Sequence, residues 1–315
     1  MKTRLLLVGS GSLARAVLRA IEGEAEFELV GVAAPVGAEE LAAPFGARAQ
    51  KDYRRLLEDE DVDLVVGAAP TDVQADVAVA AAEFGRKFLC CGPPATSAEE
   101  ADIIQRGIEY GGGYLRAEAL ELFHPDYALT SAWAEAFAPL ERVLLRCRME
   151  PPSAAWRWDP DRCGGGVLAQ LGAVGLQFGL LILGARVVAV EANLEGTEGP
   201  FGLIDTRAHV KAYAQDGSVL ELDIGWESPP FGWKVEVHGE GGSYFGRLPR
   251  ELSDEVIRAW LRGTLAVPRN PPSPLRLLDI VEAAYAAAAR GERRELPFRG
   301  GAWRAADYWL GPPRA

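Results

Sequence analysis

Six residues near the start of the chain, Gly9-Ser10-Gly11-Ser12-Leu13-Ala14, have the types and spacing to hold a phosphate. They follow an apolar run, Arg4 to Val8, and open a stretch whose Leu13, Val17 and Ala20/Ile21 share one helical face. That strand-turn-helix context is what makes a G-x-G-x-x-A match meaningful. The first glycine permits the tight turn, the second lets backbone approach a pyrophosphate, and the small Ala14 lets helix pack on strand. The phosphate then rests on free N–H groups at the helix N-terminus. The expectation is a dinucleotide, NAD or NADP, with its pyrophosphate along the backbone of Ser10 to Leu13. The ribose partner expected about 20 residues further on falls in Val32-Ala33-Ala34-Pro35, which offers neither a carboxylate nor a basic side chain. NAD and NADP both stay open.

Other chemistry-bearing residues are sparse. His124, in Leu122-Phe123-His124-Pro125, is one of 3 histidines; it could move a proton near neutral pH or simply stand at a helix entry. His209 lies in a strand pattern and His238 before a turn, so both read as structural. Trp156 and Trp158 alternate with Arg157, which suits a buried face or an aromatic wall for a sugar. The 4 cysteines, Cys90, Cys91, Cys147 and Cys163, make neither a disulfide framework nor a C-x-x-C site, and no metal-ligand spacing is expected.

The elements that must position these residues fall into two textures. As far as about Ala117, apolar runs (Arg4 to Val8, Phe27 to Ala33, Val62 to Ala68, Lys87 to Cys91, Tyr114 to Ala117) alternate with helical patterns, the signature of a parallel sheet with crossover helices. Thr96-x-x-Glu99 and Ser97-x-x-Glu100 both fit a capping box for the helix after Pro94. Beyond Ala117, strand-like runs (Val143 to Met149, Val187 to Leu194, Ala208 to Ala214, Val219 to Ile224, Lys234 to His238) are joined by turns, with helical stretches at Val167 to Leu183, Asp254 to Leu261 and Leu275 to Arg290. The expected fold is α/β: a doubly wound Rossmann domain over 1–118 and an α+β domain with an open, mostly antiparallel sheet over 119–315. Val210, Ala212, Leu220, Leu222, Val235 and Val237 suggest an apolar open face, and such a patch would be unusual in water.

The 315 residues are 49% hydrophobic and 25% charged, in the range of an ordinary soluble globular protein. With 33 Lys+Arg against 45 Asp+Glu, a net charge of −12 and a pI near 4.9, no summed positive field attracts nucleic acid or anionic lipid. The basic, apolar start could pass for a signal peptide, but glycines cut its run to Leu5 to Val8, and no later stretch reads as a membrane span. A reducing cytoplasm is expected.

Four segments in order, Leu7-Val8-Gly9-Ser10-Gly11, Asp63 to Pro70, Gly85 to Pro93, and Trp156 to Pro160 running into Gly164-Gly165-Gly166-Val167-Leu168, carry a resemblance over nearly the whole chain. The sequence resembles the Gfo/Idh/MocA family of NAD(P)-dependent oxidoreductases. The resemblance implies a hydride moved between nicotinamide and a secondary alcohol or ketone, usually on a sugar or cyclitol. It implies cofactor contacts at Gly9, Ser10, Gly11, Ser12, Leu13, Ala34, Ala69, Pro70, Cys91 and Pro93. It further implies a substrate lined by Gln74, Gln170, Gln177 and Trp158 at a cleft between domains, and a homodimer or dimer of dimers through the C-terminal sheet. The family's proton donors are a Lys in Glu-Lys-Pro, which aligns with Gly92 in Cys91-Gly92-Pro93, and an Asp-x-x-x-His pair, which aligns with Gln170 and Val174. None of the three titrates. Relocation is restricted, because the only lysines are Lys2, Lys51, Lys87, Lys211 and Lys234. His124 is the best remaining candidate, ahead of Cys91 and Asp159. The alternative to an oxidoreductase with a divergent site is a non-catalytic, nucleotide-binding sensor or regulatory protein.

Overall fold

The structure, a computed structural model, describes residues 2–248, 253–265, 274–298 and 303–311. In chain order the elements are β1 (Thr3–Val8), α1 (Ser12–Ile21), β2 (Phe27–Ala33), α2 (Ala38–Ala42), β3 (Arg48–Gln50), α3 (Tyr53–Asp59), β4 (Leu64–Gly67), α4 (Thr71–Glu83), β5 (Lys87–Cys90), α5 (Ala98–Gly111) and β6 (Tyr114–Ala117). There follow α6 (Pro125–Ala136), β7 (Leu140–Met149), α7 (Pro160–Cys163), α8 (Ala173–Leu183), β8 (Val187–Gly199), β9 (Gly202–Ala214), β10 (Val219–Trp226), β11 (Phe231–Gly239), β12 (Gly242–Leu248), α9 (Asp254–Arg262), α10 (Pro274–Arg290), β13 (Arg294–Glu295) and α11 (Asp307–Leu310).

The chain divides into two compact units. The first comprises Met1–Ala95, Glu100–Glu118 and Ser253–Thr264; the second takes the rest, including Thr96–Glu99. The chain thus changes unit between Glu118 and Ala119, and α9 returns to the first unit, where Arg19 pairs with Asp254 at 2.8 Å. The first unit holds a six-stranded sheet in the order β3-β2-β1-β4-β5-β6, parallel throughout. Leu5 to Val8 and Leu64 to Gly67 are buried on both faces, as central strands under helices must be. The three-residue β3 escapes sequence reading, since it is too short to show a period.

The second unit is a seven-stranded sheet, β12-β11-β7-β10-β9-β8-β13, antiparallel except where β10 runs parallel to β7. α8 packs on β7 and β10. Val210, Ala212, Leu220, Leu222, Val235 and Val237, expected on the open face, are instead at most 1% exposed. The period-2 alternation holds, but the apolar set belongs to the core. The opposite face carries charge: Arg142–Glu221 at 3.0 Å, Arg146–Glu236 at 2.9 Å and Arg148–Asp223 at 2.8 Å. His209 and His238 join it, within 3.7 Å of Glu221 and 3.6 Å of Glu236.

The helical run Pro160–Leu183 is long and apolar. By length and composition it would suit a membrane span, but most of it is buried within the fold, as the core helix of the unit must be.

Candidate functional site

In the first unit, the end of β1 is built around Gly9. Its φ is +121°, and a Cβ there would lie 2.3 Å from the Ala68 carbonyl oxygen, so only glycine lets the turn lie against the chain after β4. The Gly9 N–H donates to Ala33 O at 2.8 Å and the Ala68 N–H to Val8 O at 2.7 Å, tying together the ends of β1, β2 and β4. Gly11 differs: a Cβ there meets nothing within 4 Å. It is the N-cap of α1, and no side chain of the protein caps that helix. Ala14 is fully buried. These residues fit the pyrophosphate of a dinucleotide: an uncapped helix N-terminus binds anions, and the space beside it is what a side chain at Gly11 would fill.

At the next strand ends the structure keeps less chemistry. Ala69 O accepts from Gln74 Nε2 at 3.1 Å. Gln74 is 7% exposed with its Oε1 unpartnered, which makes it an interior brace between β4, Pro70 and α4. Beyond β5, Cys91 is half-buried and Gly92 has φ +88°, a backbone in which a lysine would be strained. Pro93 follows. Burial pushes the neighbouring Cys90 thiol well above its ordinary value, leaving it inert.

The second unit presents the triple glycine through a buried carboxylate. Asp205 accepts from the Gly166 N–H, the Leu168 N–H and the Tyr285 hydroxyl, each at 2.8 Å. Burial pushes its carboxyl up while these three donors pull it down. Desolvation also raises the Tyr285 hydroxyl, and it takes the adjacent Cys163 thiol to about 12. The segment so pinned runs into a π-helical turn, Leu168–Gly172, a distortion that often marks functional positions. Gln170 sits in it, donating from Nε2 to Arg157 O at 3.0 Å and Gly165 O at 3.2 Å, with Oε1 unpartnered. Val174 is half-buried on α8. Gln177 is 2% exposed and accepts from the Ala119 N–H, so it holds the start of the turn Leu120–Phe123 from inside.

That turn leads to His124, the N-cap of α6, whose Nδ1 accepts from the Asp126 N–H at 3.1 Å, with an Asp126 carboxylate oxygen at 3.7 Å. Glu121, which sequence reading passed over, accepts from Trp233 Nε1 at 3.0 Å, and burial raises its carboxyl. No spacing rule links Glu121 to Trp233, because sheet topology alone joins them. Trp158 donates to Pro152 O at 2.8 Å and packs on Trp226 with centroids 5.1 Å apart. Asp159 caps α7 through the Asp161 N–H at 3.0 Å. Among the described residues, no group of three His, Cys, Asp or Glu could hold a metal.

Residues 3–115 match the model of the Gfo/Idh/MocA oxidoreductase family with its NAD-binding Rossmann fold, and residues 142–245 match the GFO/IDH/MocA C-terminal domain. A levoglucosan dehydrogenase of Pseudarthrobacter phenanthrenivorans is 35% identical over 284 residues, covering 78% of this chain and 72% of that protein. The chain belongs to the Gfo/Idh/MocA family. An inositol 2-dehydrogenase of Rhizobium meliloti, 24% identical over 264 residues, covers 81% of this Gfo/Idh/MocA chain and is itself covered to 79%. In fold, the chain is similar to GenD2 from gentamicin A biosynthesis, solved in complex with NAD: TM-score 0.82, 22% identity, 94% of this chain and 96% of that one. The family's cofactor is a nicotinamide dinucleotide, in keeping with the glycine cradle.

Proposed function

We propose that this Gfo/Idh/MocA protein is an NAD(P)-dependent oxidoreductase acting on a small, polar, sugar- or polyol-like substrate with a divergent site. The observation that carries the reading is the cradle from Gly9 to Ala14, with its uncapped helix and the open space at Gly11. The names of the relatives, levoglucosan and inositol dehydrogenases, support the substrate class. The bound dinucleotide supplies the hydride acceptor or donor. This chain's residues have to bind and orient the substrate and handle the hydroxyl proton. Gly92, Gln170 and Val174 cannot do the last. Gln170, half-buried in the π-helical turn, offers an amide that can hydrogen-bond a substrate hydroxyl without changing charge.

His124 is the proton-transfer candidate, and its geometry sets a condition. While Nδ1 accepts the Asp126 N–H, Nε2 carries the proton of the neutral ring; taking a proton at Nε2 requires Nδ1 to give up the cap and turn toward the Asp126 carboxylate. Loss of an N-cap costs about 1 kcal/mol, which is compatible with slow catalysis. The same observation favours the second reading, a nucleotide-binding sensor with no turnover. A screen of sugars and polyols with wild type and His124→Ala separates them. Reproducible wild-type turnover is expected and excludes the sensor. A drop of about 10²-fold or more in the variant, the usual worth of a general acid or base, assigns the proton to His124. Unchanged turnover removes His124 from the reaction.

The assembly we propose is a homodimer or dimer of dimers through the open face of the C-terminal sheet. A cytoplasmic location is supported by the four free cysteines.

A further inference from the structure

We propose that the cofactor this chain takes is the 2′-phosphorylated dinucleotide, NADP(H), with Lys51 as the counter-charge of the phosphate. The proposal rests on the reading that the glycine cradle holds a nicotinamide dinucleotide, and it concerns only the adenosine end.

The end of β2 carries the ribose partner in this fold. Here it does not stand alone. Ala33 is in register with Gln50 of β3, and the Ala34 N–H donates to Gln50 O at 3.1 Å, so Lys51 follows directly beside Ala34. At the far end of the same loop a Cβ at Gly37 would lie 3.8 Å from Ser10 Cβ, so the loop 34–37 borders the cradle. The loop offers a bare ribose very little. Ala34 is 3% exposed and has no side-chain acceptor, Pro35 has no N–H, and Val36 is 79% exposed with an apolar side chain. A carboxylate at this position would accept ribose hydroxyls and repel a phosphate; Ala34 does neither.

The basic groups around the loop come from other elements. Lys51 is exposed and, among the described residues, has no ion-pair partner. Arg15, in the first turn of α1, is held at 3.1 Å by Glu40 of α2, which neutralises that carboxylate. Asp52, next to Lys51 in sequence, is engaged as the N-cap of α3 by the Arg54 N–H at 3.0 Å. A free ammonium beside a loop without anions matches a phosphate dianion through a charge-assisted hydrogen bond, whereas a hydroxyl would gain little from it.

The test is binding, read by titration calorimetry on the full chain with NADPH and NADH, for wild type, Lys51→Glu and Lys51→Arg. Lys51 is on the surface, so the variants' fold is not at stake. NADPH should bind wild type more tightly than NADH. Lys51→Glu should weaken NADPH by about tenfold to a hundredfold, the range of one hydrogen bond to a charged group. It should leave NADH within about threefold, the scale of a screened surface charge, and Lys51→Arg should keep most of the NADPH affinity. Equal or tighter NADH binding in wild type overturns the proposal while leaving the cradle reading intact, as does a Lys51→Glu variant that loses both nucleotides equally or neither. Folded wild type that binds neither nucleotide overturns the cradle reading, and this proposal with it.

Discussion

At the scale of single residues, Gly9 and Gly11 have the same side chain for opposite reasons. A side chain at Gly9 would strike the Ala68 carbonyl, whereas one at Gly11 would meet nothing of the protein within 4 Å. Gly11→Val should therefore leave the fold largely intact, apart from the modest cost of a β-branched residue at a helix start, and abolish dinucleotide binding by filling the phosphate space. A melting curve within a few degrees of wild type, with the nucleotide-induced rise in melting temperature lost, is the expected pair of results. Persistence of that rise would remove the cradle as the binding site. The amides split at this scale too. Gln74 and Gln177 are turned into the interior and brace the backbone at Ala69 and Ala119, and Gln170 alone of the three is half-buried. Residue type made all three look alike, and burial separated them.

Among the elements, the start of α5 shows how a helix end is completed from a distance. Thr96 and Ser97 read as capping-box residues, and both are buried there. The Ala98 N–H, however, goes to Glu282 of α10 at 2.9 Å, a donor-acceptor pair 184 residues apart. Burial raises the Glu282 carboxyl from 4.5 to about 8, so between those values the native state keeps a proton that the unfolded chain releases. Stability from this group is present at acid pH and is lost as pH rises, by about 1.4 kcal/mol for each pH unit of the interval. Glu282→Gln keeps an acceptor for Ala98 and cannot ionise. Its melting temperature should gain on wild type steadily from about pH 5 to 8 and run parallel above that; a difference constant across pH would show that Glu282 is not protonated in the native state.

For the whole molecule, the open sheet face decides what kind of assembly to look for. An apolar face would have driven association by burial, but the pairs Arg142–Glu221, Arg146–Glu236 and Arg148–Asp223 make a surface of alternating sign. Two such faces can complement each other about a two-fold axis. The dimer proposed here should therefore be salt-sensitive, since partly exposed charges are screened within about 3 Å at 1 M salt. Sedimentation at micromolar protein should give at least a dimer of the 33.9 kDa chain at low salt and a shift toward monomer near 1 M. A monomer at low salt would reject the interface.

The alternation of strands and helices that makes the first unit's parallel sheet, the mostly antiparallel second sheet and the glycine turn after β1 could be read from the sequence, because each depends on neighbours in the chain: a period, a turn, a run of types. Which face of the C-terminal sheet is apolar could not, since alternation specifies two faces and only packing against α8 says which one is covered. Lys51 was one of five lysines with no evident duty until the parallel pairing of β2 with the three-residue β3 set it beside Ala34. Asp205 beneath Gly166, Glu121 under Trp233 and Glu282 at Ala98 are likewise partners across long stretches of chain. Their hydrogen bonds are specified by where strands and helices come to rest, and no local spacing encodes that.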